Sequence, residues 1–152
     1  MRFREAAACA AMAAFCLTPA AHAALGGTPS YSNDLHPTAT ATVATQTEAG
    51  YSINITTFSD GLVVREYIAS GTVFGASWSG ATMPSLGELF GSYYTQLQQG
   101  AAAYRNANGG LSMVVVDQST LFAQVGGRAG AFSGRAYLPR ALPSGVSADA
   151  IQ

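Results

Sequence analysis

Residues 51–78 read YSINITTFSDGLVVREYIASGTVFGASW, and the way this stretch folds decides how the rest of the chain can pack. Tyr51, Ile53 and Ile55 alternate with Ser52, Asn54 and Thr56, the period of two expected of a strand with one buried face. Asp60-Gly61 supplies a pair suited to a tight turn, and Leu62 to Ile68 is a second run rich in β-branched and aromatic residues. Ser70-Gly71 repeats the device before a third run, Thr72 to Trp78. The pattern predicts a three-stranded antiparallel meander.

Loop length then sets the register. A two- or four-residue loop at Asp60-Gly61 places Ile53 and Ile55 on one face with Val64, Glu66 and Ile68, and a two-residue turn at Ser70-Gly71 adds Val73 to them. The other face then carries Val63, Arg65 and Tyr67 beside Phe74, Ala76 and Trp78, an aromatic cluster around one cation. A sheet apolar on both sides must be a middle layer, part of a small barrel or an exposed binding platform.

Upstream, the chain opens MRFRE, continues in an apolar run from Ala6 to Leu17, and reaches Ala21-His22-Ala23 before Ala24. A basic start, a short apolar centre and an Ala-x-Ala site make residues 1–23 a secretory signal peptide, which predicts export to the periplasm or beyond. The run is too short to span a bilayer and no other stretch is long enough, so no transmembrane segment is expected after cleavage. Phe15 directly before Cys16 argues against a lipoprotein box. Cleavage removes Cys9 and Cys16 and leaves a chain without cysteine, held by its core alone. There is no lysine, and Arg65, Arg105, Arg128, Arg135 and Arg140 are set against Asp34, Glu48, Asp60, Glu66, Glu88, Asp117 and Asp149. That balance, without a basic stripe, argues against nucleic acid as a partner.

Residues 24–50 hold almost nothing large and apolar and read as a flexible N-terminal arm, although Thr38, Thr40 and Thr42 at period two could add an edge strand. Downstream, Ser85 and Glu88 have capping-box spacing, and Leu86, Leu89, Phe90, Tyr93, Tyr94 and Leu97 recur at helical positions. This amphipathic helix covers one face of the sheet and ends at Gly100 or runs on through Tyr104. Gly87 and Gly91 weaken it by about 1 kcal/mol each, less than burial of its large side chains returns. Leu111 to Val116 follows as a strand suited to a central position, Leu121 to Val125 as another, Gly126-Gly127 as a turn, and Ala131 to Leu138 as the last strand before Pro139. The expectation is a single α+β domain over 51–140, an antiparallel sheet of order βββ-α-βββ with one amphipathic helix packed on it, and a tail over 141–152 with little core of its own.

Arg65-Glu66-Tyr67 and Arg135-Ala136-Tyr137 share an Arg-x-Tyr spacing that puts guanidinium and phenol on one strand face. Two such pairs converging would make an anion or carboxylate site with fork-shaped donors and aromatic walls. The same residues could instead cap sheet ends or stack on neighbouring rings. Glu66 falls on an otherwise aliphatic side, where an unpaired carboxylate would have a raised pKa and acid–base potential. Gly75-Ala76-Ser77-Trp78-Ser79 resembles a nucleophile elbow but lacks its last glycine. His36, the one histidine after cleavage, sits in the arm, so a triad at Ser77 has no evident base. The shortage of His and Cys removes the usual zinc and iron sites, and no metal or cofactor is expected. Gly126-Gly127-Arg128-Ala129-Gly130 has no helix after it to make a phosphate loop, and Trp78 serves as a binding anchor or as core beneath the helix.

The order Ala24-Leu25-Gly26-Gly27, Val63-Val64-Arg65-Glu66-Tyr67, Gly71-Thr72-Val73-Phe74, Trp78-Ser79-Gly80 with Pro84, Gly134-Arg135-Ala136-Tyr137-Leu138-Pro139 and Leu142-Pro143 resembles the bacterial family known as domain of unknown function 2844. The resemblance spans nearly the whole mature chain. It implies an exported protein of a Gram-negative-like bacterium and brings no activity or catalytic residues with it. The sequence therefore predicts a small non-enzymatic binding or accessory module of the cell envelope, with no catalytic residues, binding an envelope protein or small ligand through Arg65, Tyr67, Phe74, Trp78, Arg135 and Tyr137. The alternatives are a hydrolase-like enzyme using Ser77 or Glu66 and a structural subunit of an envelope assembly.

Overall fold

The structure, a computed structural model, describes residues 25–110 and 112–152. The signal peptide expected over 1–23 lies outside them, as does Leu111. Seven strands, β1 (Ala41–Glu48), β2 (Tyr51–Phe58), β3 (Val63–Ala69), β4 (Thr72–Gly80), β5 (Met113–Asp117), β6 (Phe122–Arg128) and β7 (Ala131–Tyr137), form one antiparallel sheet in the order β1-β2-β3-β4-β7-β6-β5. With a short helix α1 (Ser32–Leu35) before β1 and the helical segment between β4 and β5, this is the α+β class that the alternation implies.

Hairpin geometry decides which face each side chain takes, and here the structure corrects the expected register. The β2–β3 loop has three residues, Ser59, Asp60 and Gly61, closed by Phe58 N–H donating to the Leu62 carbonyl at 2.8 Å. Gly61 at φ +88° supplies the left-handed position that such a loop needs. An odd loop pairs Ile55 with Arg65 and Ile53 with Tyr67, so the two isoleucines share the arginine face and not that of Val64. The next turn, Ser70-Gly71, has the two residues expected, but a bulge in β4 opposite Tyr67 and Ile68 shifts the ladder by one residue. Trp78 therefore pairs with Val64 and Ala76 with Glu66, on the face opposite Arg65, while Phe74 packs with Tyr67.

The centre of the sheet is β4, in which Val73 to Trp78 are all buried. The strand expected to be central is β5, an edge strand: Val114 and Val116 are buried while Met113 is 48 % exposed, because only one of its faces has a covering helix. Gly126 and Gly127 lie within β6, and the turn to β7 is Ala129-Gly130, between the paired Arg128 and Ala131.

The helical segment covers the face of Val64, Ala76 and Trp78. Its first turn, α2 (Leu86–Phe90), stops at Gly91 (φ +50°), and after a 3-10 turn over Gly91–Tyr93 the chain continues as α3 (Tyr94–Asn108). Ser85 precedes α2 without a side-chain cap. Gly100 does not end α3; it lies where an added Cβ would sit 2.6 Å from Val116, so the absent side chain lets the helix approach β5.

Of the arm expected over 24–50, residues 25–50 pack against the rest of the chain. Leu25 and Leu35 are 2 % and 1 % exposed in the main core, Gly26 N–H donates to the Val73 carbonyl, Ser85 N–H donates to the Leu35 carbonyl, and residues 41–48 are β1. These few large side chains and backbone bonds do what composition alone does not reveal. The tail likewise docks: Ile151 is fully buried against Tyr67 and Phe74, with Leu142 and Val146 packed around them.

Candidate functional site

The two Arg-x-Tyr segments lie on β3 and β7, the two neighbours of β4. Register aligns Arg65 with Ser77, Ser77 with Arg135 and Arg135 with Gln124, one row running across four strands on the face opposite the helices. Two strand spacings separate the arginines, about 10 Å between their backbones. Between and beside them the sheet carries Ser77, Ser79, Ser133 and Gly126, all small, so the longer side chains stand as walls. The result is a groove of about 330 Å³ lined by Arg65, Ser77, Ser79, Gln124, Ser133, Arg135 and Gln152 among others.

Two arginines line the groove. His36 pairs with Asp60 at 2.9 Å, and among the described residues no carboxylate side chain pairs with Arg65 or Arg135. Arg135 is held by an aromatic stack: its guanidinium carbon lies 5.5 Å from the Phe122 ring centre, and that ring stacks on Tyr137 at 4.8 Å. A guanidinium held on a ring loses less freedom when it binds, which leaves its forked donors ready for an anion.

One end of the groove is closed by the tail. Tyr67 and Ser77 hydroxyls both donate to the main-chain oxygen of Gln152, at 2.9 and 2.6 Å, and Gln152 N–H donates back to Tyr67 at 3.1 Å. Beneath this strap, Tyr51, Tyr67 and Phe74 form a ring cluster with centroids 5.8 to 6.3 Å apart.

The six candidate residues thus divide into three groups. Arg65 and Arg135 line the groove, and Tyr137 supports Arg135 through Phe122. Tyr67 and Phe74 lie under the tail at its closed end. Trp78 presents its indole to the other face, where it meets Phe90 edge-on at 6.0 Å and has no hydrogen-bond partner for its buried Nε1. Sequence reasoning missed Gln124, Ser133 and the strapping Gln152. A two-residue turn at Ala129-Gly130 would have paired Gln124 with Arg135; placing the turn at Gly126-Gly127 hid it.

The other candidates separate as well. Glu66 is 1 % exposed on the helix face and accepts the Ser30 main-chain N–H through both oxygens, at 2.9 and 3.2 Å. Burial pushes its carboxyl above the ordinary glutamate range, and the Ser30 N–H and hydroxyl partly oppose that. His36 is no loose residue of an arm: its ring meets Asp60 and lies 5.4 Å from Phe58. Hydrogen bonds from Thr82 and from Leu62 N–H, with His36 beside it, hold the Asp60 carboxyl below its usual range. Ser77, Glu66 and His36 therefore occupy three separate places and do not form a catalytic group.

A second depression of about 450 Å³ lies between α3 and the β5–β6–β7 end of the sheet, walled by Leu97, Ala101, Val114 and Val125 with Arg105 at its rim. Among the described residues there is no cluster of three or more metal-ligating side chains, and no helix is long and apolar enough to cross a membrane.

A family model described as "Protein of unknown function (DUF2844)" matches residues 21–151. No curated protein and no solved structure matches the chain.

Proposed function

We propose that this chain, which belongs to the family described as Protein of unknown function (DUF2844), is an exported, non-enzymatic binding module of the cell envelope that takes an anionic ligand between Arg65 and Arg135. One observation carries the reading: two arginines that have no carboxylate side-chain partner among the described residues flank a floor of small polar residues in a single groove. Paired forked donors suit carboxylate and phosphate oxygens, and Gln124 and Ser133 add neutral hydrogen-bonding groups at the rim. The binding reading is favoured over hydrolysis because the Ser77 hydroxyl already donates to Gln152, with neither His36 nor Glu66 beside it. Export is supported by the basic start, apolar run and Ala-His-Ala site.

The test is calorimetric titration of the purified protein with citrate, inorganic phosphate and short uronic-acid oligosaccharides at low and high salt. Binding of at least one, weakened by salt and reduced about tenfold, near 1.4 kcal/mol, by Arg65→Gln and by Arg135→Gln at unchanged thermal midpoint, is the expected result. Variants that bind as the parent does, or a parent that binds none of them, overturn the ligand reading. Terminal sequencing of protein recovered from the periplasm tests export, with Ala24 as the expected first residue.

A further inference from the structure

The sheet has two edges, and they are not alike. At one, β5 has five residues, ends in Asp117 and is backed by α3. At the other, β1 has eight residues, of which 42–47 are exposed, and among the described residues nothing pairs with its outer side. Long free edges are ordinarily blunted by proline, lysine, a bulge or a covering element. β1 has neither proline nor lysine, its ladder to β2 shows no register shift, and its single charge, Glu48, is at the end. Val43, 59 % exposed, adds apolar surface beside the free backbone.

The direction of that backbone follows from one bond. Ser59 N–H donates to the Thr40 carbonyl, so even-numbered residues of this segment point their backbone groups at β2, and Ala41, Val43, Thr45 and Thr47 point theirs outward.

We propose that this edge pairs with the same edge of a second copy, antiparallel about a twofold axis at Ala44. The register then sets Ala41 against Thr47 and Val43 against Thr45, giving about eight backbone hydrogen bonds. The sequence suits itself in this arrangement: Val43 faces Thr45, both β-branched, the small Ala44 lies on the axis, and Glu48 falls opposite Thr40 rather than opposite its own mate. A parallel partner would stack the two glutamates. A twofold perpendicular to the sheet leaves both arginine grooves on the same side of a continuous fourteen-stranded sheet. The pairing itself does not depend on what those grooves bind.

The experiment is sedimentation equilibrium of the purified chain over a concentration series, beside Val43→Pro and Thr45→Pro. Both substitutions remove an outward N–H and leave the β1–β2 ladder intact. A reversible dimer whose dissociation midpoint rises about tenfold or more in each variant, with unchanged thermal midpoints, is the expected result. In a Cys9→Ser, Cys16→Ser background, Ala44→Cys should oxidise to a covalent dimer, since twofold-related residues there approach to disulfide distance; Thr42→Cys, set against Gln46, should not. A chain that is monomeric at every concentration, a dimer indifferent to both prolines, or equal cross-linking at 42 and 44 overturns the proposal.

Discussion

β3 and β4 present one face to the helices and the other to the groove, and the two sides are built differently. On the helix side Val64, Ala76, Trp78, Leu89 and Phe90 form a continuous core with Leu25 and Leu35 from the N-terminal segment. On the groove side a small cluster of Tyr67, Phe74 and Ile151 covers only the end near Ser70-Gly71, and the remainder is polar and open. The sheet is therefore a middle layer at one end and carries an open polar groove at the other. The first side supplies stability, and the second supplies a place where arginines can stand without carboxylates.

The largest expected effect tests the helix side. Trp78 is 2 % exposed, and the β7 residue beside it is Gly134, where an added Cβ would run into the indole. The ring fills the space that the glycine leaves. Trp78→Ala should cost about 4 kcal/mol through lost burial and the cavity left behind, read as the change in urea midpoint at constant slope. A loss below about 1 kcal/mol would mean that the indole is not the centre of this core.

Ile151→Ala should cost less, about 2 kcal/mol, and in a different way. Its side chain packs over Gly75, at the point where a Cβ on that glycine would be 2.7 Å from it. The tail is a single short strap, so its release is expected as local opening rather than global unfolding. Hydrogen exchange should accelerate at Gln152 N–H and leave β4 protected. Loss of protection throughout β4 at the same denaturant concentration would make the tail part of one cooperative core and erase the contrast between the faces.

The strands from Tyr51 onward were legible in the sequence because each is a short run of β-branched, aromatic or small apolar residues bounded by turn residues, with strict alternation in β2. The faces were not. Each hairpin register turns on one residue, the third residue of the loop at Asp60-Gly61 and the bulge at Phe74, and alternation could not correct either error because Ile53 and Ile55 suit an apolar face on either side. Trp78 was misplaced for that reason. Arg65 and Arg135 were legible as a pair through their shared spacing with Tyr67 and Tyr137, whereas Gln124 depended on the position of a turn among five residues of which three are glycine. Ile151 and Leu25 act as isolated anchors, and one apolar residue in a polar segment has no period to read.

The smallest effect is a slope rather than a loss, and it compares two of the three buried polar side chains among the described residues, Glu66 and Ser77, which lie on opposite faces. Burial raises the Glu66 carboxyl above its ordinary value of 4.5, and the Ser30 bonds only partly offset this. The folded chain then holds that proton more tightly than the unfolded chain does. The stability this contributes is complete below pH 4.5 and is lost as pH rises through the elevated folded value. Subtracting the urea-midpoint profile of Glu66→Gln from that of the parent should therefore leave a curve that falls from acid toward neutral pH. Ser77→Ala, which removes a neutral donor to Gln152, should shift the profile without changing its slope. A parent-minus-Gln curve that rises with pH would reverse the account of Glu66, because the Ser30 N–H and hydroxyl would then outweigh burial and hold the side chain as an anion that fastens the N-terminal segment to the sheet.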